Sequence, residues 1–78
     1  MRSGKVNAAP DVGTLMMDSH LDRVGEFRGI AGPYWSLRPV VGGTEWEAEP
    51  GHVRPADPME RMHAQTARAN ARSRGALL

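Results

Sequence analysis

The chain has no cysteine. That excludes disulfide staples, thiolate metal ligands and a cysteine nucleophile at once. Aromatic residues are scarce as well: two tryptophans, one tyrosine and one phenylalanine in 78 residues. A single core in a chain of this size supplies only about 3–5 kcal/mol without staples, so each ring carries weight. No apolar run approaches the roughly 20 residues that span a bilayer as a helix. The stretch MRSGKVNAAP has basic residues but no apolar segment after them, so a secretory signal is not expected. The expectation is one small cytoplasmic domain that does not enter a membrane.

The usual catalytic patterns are missing too. His20, His52 and His63 show no i,i+4 pair, so no zinc-ligand spacing exists. Ser3, Ser19, Ser36 and Ser73 stand alone, without a Gly-x-Ser-x-Gly elbow. No glycine pattern matches a phosphate-binding loop. Glu45, Glu47 and Glu49 alternate along one segment, which places them on a solvated strand face rather than as a catalytic pair. So short a chain is also expected to lack the usual concave pocket of about 300 Å³ or more. No enzyme activity, metal or cofactor is expected.

What the chain does contain is gathered in Arg23–Trp46, RVGEFRGIAGPYWSLRPVVGGTEW. This stretch holds all four aromatic residues and five of the nine glycines. Around it the pattern reads as short strands. Residues 12–17 (VGTLMM) form an apolar run of strand length, followed by the turn-like Asp18–Asp22. Residues 24–28 form a second strand, with Gly25 marking a bulge or a tight bend. Gly29–Pro33 reads as a loop. Residues 34–41 form a third strand that turns Trp35 and Leu37 inward and Tyr34 and Arg38 outward, with Pro39 at an edge or bend. Gly42-Gly43 signals a two-residue hairpin. In residues 44–49, Thr44, Trp46 and Ala48 alternate with the three glutamates, and residues 52–54 close the set. Five short strands with frequent turns, over residues 11–56, predict a mainly β fold: a small SH3-like barrel. Residues 1–10 read as a disordered lead.

From residue 57 the composition changes. Asp57-Pro58-Met59-Glu60 combines an N-cap, a proline at the first helical position and a capping-box glutamate. The Ala- and Arg-rich run that follows predicts a C-terminal helix over about residues 58–72, fraying within 57–78, with Gly75 as its C-cap. Met59 and Met62 are expected to dock its first turn on the barrel. Arg61, Arg68 and Arg72 share one arc of the helix, with Arg74 beyond them.

Charge is segregated. Residues 11–56 hold four arginines against seven carboxylates, net −3, while residues 57–78 hold four arginines against two, net +2. Two binding readings follow. In the first, a protein partner docks on Tyr34 and Arg38 and on the helix through Met59 and Met62; those two methionines could equally join two copies of the chain. In the second, the chain is an accessory protein of transcription or translation whose Arg61, Arg68, Arg72 and Arg74 associate with nucleic acid.

The segments DRVGEF, LRP and GGTEW (residues 22–27, 37–39 and 42–46) resemble a type of small protein encoded in high-GC, actinobacterial genomes. The Arg-Val-Gly entry to a strand more loosely resembles the KOW/SH3-like barrels of ribosomal and transcription-elongation proteins. The first resemblance implies no activity, so no functional residue carries over. KOW modules mostly bear a basic RNA-facing loop, whereas the module here is net acidic.

Overall fold

A computed structural model describes residues 8–76 of the chain, with side chains to residue 72. Most of the expected N-terminal lead therefore lies outside the described residues. Five antiparallel strands form one open sheet in the order β4-β3-β2-β1-β5. They are β1 (Leu15–Asp18), β2 (Arg23–Ala31), β3 (Tyr34–Pro39), β4 (Trp46–Ala48) and β5 (Val53–Pro55). A 3-10 turn, Pro50–His52, leads into β5, and helix α1 (Pro58–Ala76) follows. The fold is mainly β, as the alternation predicts. The sheet is not closed: β4 and β5 are its edges, and no ladder joins them among the described residues.

One face of the sheet carries the core. Met16, Phe27, Trp35, Leu37 and Ala48 are buried together, with Trp46 and Val53 packed on them. Phe27 meets Trp35 edge-on, with ring centroids 5.4 Å apart, the arrangement the ring quadrupoles favour. The expected inward phase of Trp35 and Leu37 is correct; Leu37 has no exposed surface. Pro39 ends β3 opposite Gly25, beyond the reach of β4, whose ladder stops at Leu37↔Trp46. Its missing N–H therefore costs the sheet nothing.

Several boundaries differ from expectation. β1 starts at Leu15, not at residue 12. Gly13, at φ +101°, makes a turn there, and Val12 is exposed. The expected loop at Gly29–Pro33 is only two residues long. β2 runs to Ala31, and Gly32 at φ +59° before Pro33 gives a tight hairpin. A positive φ followed by the fixed negative φ of proline is the sign pattern of a II′ turn. Conversely, Gly42-Gly43 makes no two-residue hairpin; both glycines have positive φ in a six-residue connection, 40–45. The bulge also lies elsewhere. The β2–β3 register shifts between Phe27 and Gly29, not at Gly25.

Gly25 has a different task. A Cβ there would stand 2.6 Å from Cη2 of Trp46, and 3.1 Å from both the Arg38 carbonyl oxygen and Leu37 Cβ. Only a residue without a side chain lets the indole lie across β2.

Helix α1 begins as its sequence predicts. The Glu60 N–H donates to Asp57 Oδ1 at 2.8 Å, and the Asp57 N–H donates to Glu60 Oε1 at 2.9 Å. This is a complete capping box. Arg54 of β5 adds a fork, Nη1 to Oε1 and Nη2 to Oε2, each at 2.8 Å. The fork orients the helix. Residues in step with Glu60 (Ala64, Ala67, Arg68 and Ala71) are buried or half-buried, while Met59 and Met62 are more than half exposed. The helix thus docks on alanines, not on the two methionines as expected, because alanine lets its backbone approach the sheet closely. It also runs through Gly75, so that glycine is not its cap.

Gly25→Ala is expected to destabilise the fold by about 1–3 kcal/mol through this clash. Gly51→Ala, with open space around its Cβ position, should change stability by less than about 0.5 kcal/mol. Urea denaturation measures both. The Arg54 fork and the Asp57 N–H hold the Glu60 carboxyl down to about 2, well below its usual value. A depressed carboxylate stabilises the fold above its unfolded pKa and loses that contribution as pH falls through the folded value. Helix docking is therefore expected to loosen between about pH 4.5 and pH 2. Far-UV circular dichroism should report this, and Glu60→Gln should abolish that part of the pH dependence.

Candidate functional site: a seam and two grooves

One indole ties edge strand β4 to β1, two strands beyond its ladder partner β3. Trp46, at the start of β4, donates its Nε1–H to Asp18 Oδ2 at 2.9 Å. Its ring lies against Gly25, and the Arg23 guanidinium sits 4.4 Å from its centroid. Asp18 is only 2% exposed. Its other oxygen, Oδ1, accepts the His20 and Leu21 N–H groups at 2.9 and 3.4 Å. One carboxylate thus closes the turn between β1 and β2 and fastens β4 across the gap. Asp22, at φ +55°, completes the turn, a conformation aspartate tolerates. Sequence reading placed Asp18 in a turn and missed its burial. A polar residue flanking an apolar run was the available signal, but its partner lies 28 residues away.

The first groove, of about 330 Å³, opens along this seam. Its floor is Asp18 and Ala48. Its rim carries His20 and Leu21 from the β1–β2 turn, Tyr34 from β3, Glu47 and Glu49 from the β4 segment, and His52. The two imidazoles stack, centroids 5.5 Å apart and 19° from parallel. The Ser19 hydroxyl and N–H both donate to the His52 carbonyl oxygen at 2.9 Å, which fixes the pair. His52 Nδ1 lies 3.5 Å from a Glu49 oxygen. Tyr34 is 40% exposed and Leu21 51%. Despite its histidines, no cluster of three or more metal-ligating side chains is found among the described residues.

The second groove, of about 340 Å³, lies between the end of β3 and α1. Arg38, Arg68 and Arg72 line it, with Glu26 and the aliphatic Val40 and Val41. Arg68 Nη2 stands 4.0 Å from Glu26 Oε1, the outer limit of an ion pair.

The expected site residues are thus redistributed. Tyr34 and Arg38 are both exposed, as their strand phase predicts, but they line different grooves. Arg38 instead joins Arg68 and Arg72, a convergence no sequence spacing reveals. Arg61 stands apart and donates Nη1–H to the Ala56 carbonyl oxygen at 3.2 Å. Met59 and Met62 face away from the sheet, and the Arg74 side chain lies outside the described residues. Grooves above 300 Å³ form despite the short chain, because the curl of the sheet leaves its edges apart and the helix spans the other face. No helix among the described residues is long and apolar enough to cross a membrane.

Asp18→Asn is expected to destabilise the fold by about 1–3 kcal/mol. Whichever way the amide is turned, its NH2 faces an N–H donor and leaves it unsatisfied. A thermal or urea melt measures the loss. Compared with known proteins, the chain matches no family model, and no curated protein or solved structure resembles it closely enough to count as a match.

Proposed function

We propose that this chain is a non-enzymatic interaction module whose sheet is an SH3-like barrel, and that its seam groove docks a basic, extended segment of a protein partner. The strand order and the bond from Trp46 on edge strand β4 to Asp18 on β1 support the barrel reading, since the bond draws β4 toward the side of the sheet where β1 pairs with β5. The observation that carries the function is the composition of the groove. Exposed apolar surface on Tyr34 and Leu21 lies beside the carboxylates of Glu47 and Glu49. A tyrosine gives a rigid contact surface at low entropic cost, and the two glutamates complement lysine or arginine. The groove holds no nucleophile set against a base, which is why binding rather than catalysis is proposed.

The test is a titration of the labelled protein with a short Lys- and Pro-rich peptide, followed by amide NMR shifts. Shifts clustered on Leu21, Tyr34, Glu47 and His52 are expected. Tyr34→Ala, or Glu47→Gln with Glu49→Gln, should weaken binding about tenfold, a change of about 1.4 kcal/mol. An acidic peptide of equal length binding as well as the basic one would contradict the proposal, as would shifts scattered away from the groove.

A further inference from the structure

We propose that the groove between β3 and α1 is a second binding site, distinct from the seam, and that it takes the phosphodiester backbone of a nucleic acid. Three arginines and one carboxylate face it, for a net charge of +2. They come from separate elements: Arg38 from β3, Arg68 and Arg72 from successive turns of α1. Three of the other described arginines are occupied. Arg54 is forked on Glu60, Arg61 holds the Ala56 carbonyl and Arg23 lies on Trp46. Among the described residues, Arg38 and Arg72 make no ion pair, and Arg68 makes only the 4.0 Å approach to Glu26. Guanidinium forks of this kind match phosphate oxygens.

The groove has the form of a track rather than a cup. Arg68 and Arg72 are one helical turn apart, a rise of about 6 Å, a spacing of the order of successive phosphates along a strand. No aromatic ring lines the groove, so it offers no aromatic stacking platform, and recognition rests on the backbone and is independent of sequence. The acidic side chains Glu45, Glu47 and Glu49 do not line this groove; Glu47 and Glu49 line the seam groove instead. Glu26 is the restraint. Its carboxylate competes for Arg68, and a phosphate must displace it.

Fluorescence anisotropy with a labelled oligo-dT and with a mixed-sequence strand of equal length tests this on the full chain. Both strands should bind equally at low salt and release as salt rises, with a log–log slope of about −0.7 per phosphate contact. Arg38→Ala with Arg72→Ala should weaken binding about tenfold and flatten the slope by about one unit or more. Arg28→Ala, at the exposed bulge, should change it less than about twofold. Glu26→Gln should tighten binding severalfold, a gain that loss of structure cannot mimic. Circular dichroism confirms that each variant keeps its helix. Absence of binding at low salt would overturn the proposal, and so would a double arginine variant that binds as well as the parent. A phosphoserine peptide competing on equal terms per phosphate would also overturn it, since the site would then hold single phosphates. Tyr34→Ala should leave oligonucleotide binding unchanged, so the seam reading and this one fail separately.

Discussion

The contact between Trp46 and Asp18 holds the architecture together. An open five-stranded sheet has little reason to curl unless strands far apart in it are tied. Here the tie is an indole N–H donating to a buried carboxylate. A buried carboxylate is costly unless its oxygens are satisfied, and Asp18 satisfies them with three N–H donors from two parts of the chain. Gly25 makes room for the ring, and Arg23 covers it. A chain without disulfides thus gains one long-range polar clasp in place of a covalent one.

The two grooves have separate origins. The seam groove exists because β4 is held near the β1–β2 turn without pairing to it, which leaves a gap lined by Tyr34 and the histidine stack. The arginine groove exists because the sheet's other face is covered by a helix whose rotation is set at its first turn. Once Arg54 grips Glu60, helical periodicity carries Ala64, Ala67 and Ala71 against the sheet and sets Arg68 and Arg72 at the rim. One local ion pair on an exposed edge strand therefore decides where the basic groove lies. Each exposed pair of this kind contributes little to stability alone; its effect here is orientation.

What could be read from the sequence is what depends on near neighbours. The capping box needs only Asp57 and Glu60, three residues apart. The inward phase of Trp35 and Leu37 needs only alternation. Strand ends were harder, because Gly13, Gly29 and Gly32 look alike in sequence while one turns, one lies in a continuing strand and one makes a hairpin. Helix facing was misread because hydrophobicity favoured Met59 and Met62, whereas the docking is decided by Glu60 and the small size of alanine. The burial of Asp18, the role of Gly25 and the meeting of Arg38 with Arg68 and Arg72 all depend on contacts between distant residues, which no local pattern encodes.

The clasp is tested most directly by a double-mutant cycle on stability, combining Trp46→Phe with Asp18→Ala. Phenylalanine keeps most of the packing over Gly25 but removes the N–H. Coupling of about 1–2 kcal/mol between the two substitutions is the predicted result, as for residues in direct contact. Coupling within about 0.3 kcal/mol of zero would show that the sheet curls without the indole–carboxylate bond, and would contradict the account.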